Sequence, residues 1–338
     1  MLTQRKEDIL RIIIGEYVAT AMPVASESIA RKHPLGVSAA TIRNEMVDLE
    51  EEGYINQPYH SAGRIPSDKG YRYYIKSLME DAELPLAEQH LIRHQFHQVE
   101  NDVEEWIRLA ATVLSHMVQN VAIVTLPKPI QSRFRHLELI SLQEFLALLI
   151  LVLKEAKLKQ QMLTLIEAAS QAELGAIANK LNAAYLGLTA LEIWGMGLKL
   201  SPIEEQVTTT TLGIMQAEDR QEYEEPYVNG LRRIFSQPEF STPEKIRGIM
   251  EVLEEKNFLK AILSQALVGE GICVVVGREN REDAMRHCSV IVSRYGIPGQ
   301  LSGAIGVVGP TRMQYERAIS AVRCLTSIMN ELLSELYG

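Results

Sequence analysis

Val37-Ser-Ala-Ala-Thr-Ile-Arg-Asn-Glu-Met-Val-Asp-Leu-Glu-Glu-Glu-Gly53 reads as a helix with both ends marked. Ser38 is placed to cap its N-terminus, with Val37 and Ile42 at the two positions of a hydrophobic staple. Gly53 follows the last turn, where a left-handed residue is favoured. Ile42, Met46 and Leu49 recur at helical spacing and form a buried face. At about 100° per residue, Ala40, Asn44 and Val47 lie opposite, with Thr41 and Arg43 on the flanks. Two helical patterns precede this one. The first runs from a Thr3 cap to about Ala19, with a stripe of Ile9, Ile13 and Tyr17 widened by Leu10, Ile14 and Val18. The second runs from Ser26 to His33, with Pro34-Leu-Gly36 as the turn into the third.

The stretch Tyr59-His-Ser-Ala-Gly-Arg-Ile-Pro-Ser-Asp-Lys-Gly-Tyr-Arg72 follows. Tyr54–Gln57 and Gly63–Ile65 read as the two short strands of a wing, and Asp68 to Glu80 returns to helix. Gly63 permits close approach, and Pro66 stiffens the exit. Residues 1–80 are therefore expected to form a winged helix-turn-helix.

A reading helix presents its N-terminal turns to base edges. Arg43 can pair with a guanine and Asn44 with an adenine, while Ala40 and Val47 can touch a thymine methyl. Ser38, Thr41 and the free N–H groups at the helix start can hold a phosphate. Arg64 is the expected minor-groove or phosphate probe of the wing, with Lys69, Arg72 and His60 as further phosphate contacts. Glu50, Glu51 and Glu52 sit at the far end of the helix, in keeping with N-terminal insertion. Winged helices also serve as protein-docking modules, in which Arg43 and Asn44 are merely solvated.

The net charge of −9 is unevenly spread. Residues 1–80 carry 10 Lys+Arg against 11 Asp+Glu, and the remainder 24 against 32. Within residues 61–76, Arg64, Lys69, Arg72 and Lys76 face only Asp68. The positive field is local, and an acidic body disfavours indiscriminate coating of DNA. Cys273, Cys288 and Cys324 are an odd number without close spacing, which suggests reduced thiols in a cytoplasmic protein. Charged residues from Arg5 to Asp8 precede any apolar run, so no signal peptide is expected. The strongest apolar run, Phe145–Leu153, is far short of the ~20 residues that span a bilayer.

The 338 residues allow two or three domains. Residues 81–118 read as a linker passing into a long polar helix. Strand-like segments follow at Val121–Leu126, Phe134–Ile140, Phe145–Leu153 and Gln160–Ile166. A helical period then begins at Gln171, Val207–Leu212 is a β-branched run, and Ala217–Pro226 is an acidic connector. Helical patterns recur at Ile246–Leu253 and at Phe258, Leu259 and Ile262. Strands return at Ile272–Val276, Ser289–Ser293 and Ala304–Val308, and a last helix runs from about Thr311. Strand, helix and strand in this order suggest an α+β domain interrupted by a mostly helical insertion. The expected spans are 119–160 and 226–338 for the interrupted domain, and 161–225 for the insertion.

Other constellations carry less. His90, His94 and His97 share a helix face, but no carboxylate or cysteine pair nearby completes a metal shell. Gly303, Gly306 and Gly309 ahead of Thr311 match neither dinucleotide nor Walker spacing, and a strand entering a helix accounts for them. His287 and Cys288 are adjacent and would point to opposite faces of a strand. No cofactor, metal or catalytic dyad is expected, and an enzyme is disfavoured.

Val37–Met46 with Leu49–Gly53, Ala62–Arg72, and Gly303-Ala-Ile-Gly-Val-Val-Gly-Pro-Thr-Arg-Met-Gln-Tyr315 together resemble the heat-inducible transcription repressor family HrcA. The resemblance implies a winged helix-turn-helix, a GAF-like domain, and a dimerisation domain inserted into the latter. It implies a homodimer that binds the CIRCE inverted repeat in double-stranded DNA and represses chaperone operons, with the GroEL chaperonin as positive modulator. GAF-like folds often hold small ligands, which leaves a ligand-gated regulator as the alternative. A two-fold dimer is what an inverted-repeat site requires.

Overall fold

The computed structural model describes residues 2–78, 83–99, 102–154, 158–220, 226–240, 242–254 and 271–337. The fold is mixed α and β and divides into two compact units. One takes in residues 1–127, 223–297 and 303–338, and the other residues 128–222 and 298–302.

The first unit begins with three helices: α1 (Gln4–Thr20), α2 (Ser26–Lys32) and α3 (Ala39–Glu51). Ile9, Leu10, Ile13, Ile29, Ile42 and Leu49 are fully buried among them. The α3 ends match the sequence signals. Ser38 Oγ accepts from Thr41 N at 3.2 Å. At the other end Gly53 N and Tyr54 N bond back to Glu50 O and Leu49 O, with Gly53 at φ +79°. β1 (Ile55–Asn56) and β2 (Ile65–Pro66) form an antiparallel ribbon. The ribbon gains a third partner that the sequence reading lacks, because Val24 and Arg64 exchange both backbone hydrogen bonds, at 2.8 and 2.9 Å. A Cβ on Gly63 would sit 2.4 Å from the Val24 carbonyl, so only glycine lets the two backbones meet.

The same unit continues through α4 (Asp68–Tyr73), a π-helical turn at Tyr74–Leu78, α5 (Leu86–His97) and α6 (Val103–Val118). The expected linker is thus largely helical. A sheet follows in the order β8-β3-β11-β10-β9, made of β3 (Val121–Val124), β8 (Tyr227–Asn229), β9 (Ile272–Val276), β10 (Cys288–Ile297) and β11 (Leu301–Pro310). The last helix, α12 (Tyr315–Tyr337), packs on one face together with α6. Tyr315 fastens its start through a 2.7 Å bond with Ser289 of β10. The opposite face buries Val121, Val290 and Val308 against Ile234 of α10 (Leu231–Phe235), Phe240, and Ile249 of α11 (Pro243–Glu254). Gly303 lies against the Tyr295 ring and Gly306 against the Ile291 carbonyl, each too close for a Cβ, so these glycines serve sheet packing. Burial pushes the Cys288 thiol up to about 12. The pattern at Phe258, Leu259 and Ile262, and residues 221–225 of the acidic connector, lie outside the described residues.

The second unit is a three-stranded antiparallel sheet, β5 (Phe134–Gln143), β6 (Leu146–Leu153) and β7 (Leu158–Thr164), backed by α7 (Gln171–Tyr185), α8 (Ala190–Gly195) and α9 (Pro202–Arg220). It also holds a short β4 (Lys128–Pro129), paired with Leu301 and Ser302. Its start corrects the expected boundary at 161. β5 and β6 pair with β7 rather than with β3, so the unit begins at 128. The β-branched run 207–212 lies inside α9. Val207 and Leu212 are buried in the core there, and Thr208 meets the Tyr185 hydroxyl at 3.0 Å. Packing overrides the weak helix propensity of threonine and valine. Asn182 and Gln171 of α7 run along the outer edge of β5, whose start also bonds Gly187 and Leu188. Each side-chain amide accepts from a strand N–H and donates to a strand carbonyl, at 2.7–3.0 Å.

Within the first unit, α4 is clasped to the loop after β9. Asp68 Oδ2 accepts from Arg278 N at 3.0 Å. Arg72 pairs with both oxygens of Glu279 and donates to Val274 O at 2.7 Å. Beside the clasp, Tyr71 packs on Tyr315 with ring centroids 5.6 Å apart, and Tyr74 bonds Glu316. Gly277 has φ +53°, and a Cβ there would lie 2.3 Å from the Asp68 carboxylate. Gly277→Ala should destabilise the protein by about 1–3 kcal/mol, from backbone strain and the displaced Asp68. Glu279→Gln should lose under about 1 kcal/mol, because Arg72 and Glu279 are partly solvated, 27% and 41% exposed. Urea denaturation measures both; a Gly277→Ala variant as stable as its parent would remove the clasp from the account.

Candidate nucleic-acid interface

The exposed face of α3 carries Ala40, Arg43, Asn44 and Val47, with Val47 38% exposed. Ser38 and Thr41 stand at its start with their hydroxyls 3.0 Å apart. These six expected residues are brought together on one surface. The first turn also leaves backbone N–H groups pointing outward, and such a terminus favours an anion.

Three acidic residues of α3 and its C-cap are engaged by α1. Lys6 of α1 pairs with Asp48 at 3.2 Å and Glu52 at 2.8 Å, and Arg5 with Glu45 at 3.3 Å. The hydrogen bond to Glu52 is the largest cause holding the Lys6 ammonium above its usual range. Arg43 donates from Nη2 to Glu27 Oε1 at 2.5 Å, with both side chains well exposed. The Glu27 carboxyl is held below its usual range, first by a bond from its own backbone N–H.

The wing residues are placed differently from one another. His60 is exposed in the turn where Ser61 N and Ala62 N bond Tyr59 O. Arg64, expected to be a free probe, is folded back: Nη2 meets Glu50 Oε2 at 2.8 Å, and the side chain is 15% exposed. Glu50 Oε1 accepts from Gln57 N at 3.0 Å, and Gln57 Nε2 donates to Ala62 O at 2.9 Å. One carboxylate thus ties α3 to both sides of the ribbon. Arg43 and Arg64 line a common cleft of about 330 Å³ with Glu27, Gln57 and Gly63.

Lys69 and Arg72 lie elsewhere. Lys69 Nζ donates to Glu52 O at 2.7 Å and sits 4.3 Å from the Tyr54 ring centroid, where it caps the negative end of α3. Arg72 is occupied by Glu279 and Val274 in the clasp, so its expected place on a phosphate is corrected to a contact inside the protein. Sequence reasoning missed Glu27, Glu50 and Gln57. The only signal available was the Glu27–Arg43 pairing of opposite charges on neighbouring helices, whose distance depends on how the helices cross.

Among the described residues no helix is long and apolar enough to cross a membrane. Residues 104–319 match the family model described as HrcA protein C terminal domain. The chain is 48% identical over 338 residues to the heat-inducible transcription repressor HrcA of Dehalococcoides mccartyi, covering 100% of this chain and 98% of that protein. It is 42% identical over 346 residues to the protein of the same name from Roseiflexus castenholzii, covering 100% and 96%. A solved structure described as a hypothetical protein at 2.2 Å resolution is similar in fold, with TM-score 0.61, 24% identity, and coverage of 99% and 98%. At this identity over its whole length, the chain belongs to the heat-inducible transcription repressor family HrcA.

Proposed function

We propose that this chain is a repressor of heat-shock operons that binds the CIRCE inverted repeat as a homodimer. Residues 2–78 act as a winged helix-turn-helix, and α3 enters the major groove by its N-terminal turns. The observation that carries this reading is the exposed α3 face, with Arg43 and Asn44 beside a capped helix start and with Glu45, Asp48 and Glu52 paired to α1. Arg43 reads a guanine and Asn44 an adenine, with Ala40 and Val47 against thymine methyls. Ser38, Thr41 and His60 meet phosphates. Arg64 supports the ribbon through Glu50, and Lys69 and Arg72 support α3 and α4. The sheet built from β3 and β8–β11, with helices on both faces, is the GAF-like body. Modulation by the GroEL chaperonin and a cytoplasmic setting follow from the family resemblance.

Residues 128–222 supply the dimer contact in this reading. The face of their sheet that turns away from the helices carries Ile140, Leu148 and Met162 in one cross-strand row and Val152 and Leu158 in another. Leu158 and Met162 are 61% and 58% exposed. Between these rows Ile150 is flanked by Glu138 and Gln160, and His136 stands opposite Val152, so the face is mixed with apolar side chains at both ends. Exposed apolar side chains grouped in this way favour an interaction surface, and a second copy covers it.

The test is a titration against a CIRCE duplex and a scrambled duplex at two salt concentrations, with and without GroEL. Selective binding that GroEL improves is expected; equal weak binding to both duplexes by folded protein would end the repressor reading. Arg43→Ala should cost about 1–3 kcal/mol per half-site on the CIRCE duplex and relax the preference at one base pair in each half-site. Arg72→Ala should leave the slope of affinity against salt unchanged, since no phosphate contact is lost. A double variant, Leu158→Glu with Met162→Glu, should run as a folded monomer in light scattering and lose the inverted repeat. Retention of the dimer by that variant would place the contact on another surface.

A further inference from the structure

Glu27 stands in the first turn of α2, and its carboxylate holds the Arg43 guanidinium across the gap to α3. The second oxygen, Oε2, accepts from Ser26 Oγ at 3.3 Å, so the carboxylate itself is oriented. Both partners are open to solvent, with side chains 63% and 66% exposed, and such a pair adds little to stability. Both also line the cleft shared with Ser61, Gly63 and Arg64 of the ribbon. A carboxylate on a surface meant for phosphates lowers affinity for every sequence by like-charge repulsion.

Most of the acidic side chains around this pair are engaged elsewhere, while Arg31, four residues on from Glu27, and Glu51 are exposed. Glu45 is taken by Arg5, Glu50 by Arg64, and Asp48 and Glu52 by Lys6. A free arginine on a helix surface samples many rotamers and loses that freedom on binding. A guanidinium has five N–H donors in a fixed plane. Glu27 takes Nη2 from one side and leaves adjacent donors for the paired acceptors of a guanine, O6 and N7.

We infer that Glu27 is a positioning residue for base reading: it fixes the Arg43 guanidinium in the plane and direction that select guanine, and lowers general affinity for DNA in doing so. The inference rests on the proposed DNA-reading role of α3. It assigns to α2 a share in specificity without any contact to a base.

The experiment is selection from a randomised duplex library by full-length wild type, Glu27→Gln, Glu27→Asp, Arg43→Ala and the Glu27→Gln/Arg43→Ala double variant. Affinity for random duplex is measured alongside. The wild type should enrich an inverted-repeat motif with one strongly preferred guanine in each half-site. Glu27→Gln should lower that preference by about two- to fivefold and raise affinity for random duplex. Glu27→Asp keeps the charge but shortens the reach, so it should lose the preference without the gain in general affinity. In the Arg43→Ala background, Glu27→Gln should change no base preference further. If Glu27→Gln raises binding to all sequences alike and Glu27→Asp behaves as wild type, Glu27 acts through charge alone and the inference falls. If the wild type enriches no sequence, the DNA-reading role of α3 falls first and the inference with it. Thermal melts of each variant, expected to match the parent at so exposed a site, confirm that the comparison is made on folded protein.

Discussion

The pairing of β3 with β11 is the contact on which the first unit depends. Val124 lies opposite Ile305, and Val121 opposite Val308. The buried Thr125 extends the join, with Oγ1 accepting from Ala304 N at 2.9 Å and its carbonyl accepting from Tyr295 OH. Closing a loop of about 180 residues costs about 5 kcal/mol of chain entropy by the logarithmic scaling. That cost is met only when the whole sheet and its two helical layers form together, so the unit is expected to fold slowly. The mounting surface for the N-terminal helices comes from the same event. Gly277–Glu279 follow β9, and Tyr315 and Glu316 open α12. Until the sheet closes, Asp68, Arg72, Tyr71 and Tyr74 have nothing to engage.

What could be read directly from the chain was local. Ser38, Gly53 and the Ile42–Met46–Leu49 stripe act within a few residues of themselves, and the helix they specify is the one observed. The exposed set from Ala40 to Val47 follows from the same periodicity. The cationic side chains after α3 are another matter, because each choice of partner is settled far away in sequence. Arg72 finds Glu279 207 residues on, and Arg64 turns to Glu50 only because the ribbon folds back along α3. A lysine or arginine in a wing sequence looks the same whether it faces a phosphate or a carboxylate of its own protein.

Sheet membership was similarly hidden. The alternation in Leu146–Leu153 identifies a strand with one buried face, but both sheets of this molecule offer such a face. The strand joins β5 and β7 because short antiparallel connections reach them first. The run Val207–Leu212 is β-branched yet helical: Thr210 back-bonds to Gln206 and Thr208 meets Tyr185, which helps it tolerate a helix.

Asn182 and Gln171 have a meaning beyond the unit they sit in. An uncovered strand edge is a template on which another chain can add. Here two amide side chains occupy alternate positions along β5 as a discontinuous imitation of a neighbouring strand. A cell under heat stress fills with extended, partly unfolded polypeptide looking for such edges. On the β5 side, these amides already take up strand groups that an added strand would need, so that edge is blunted as a template.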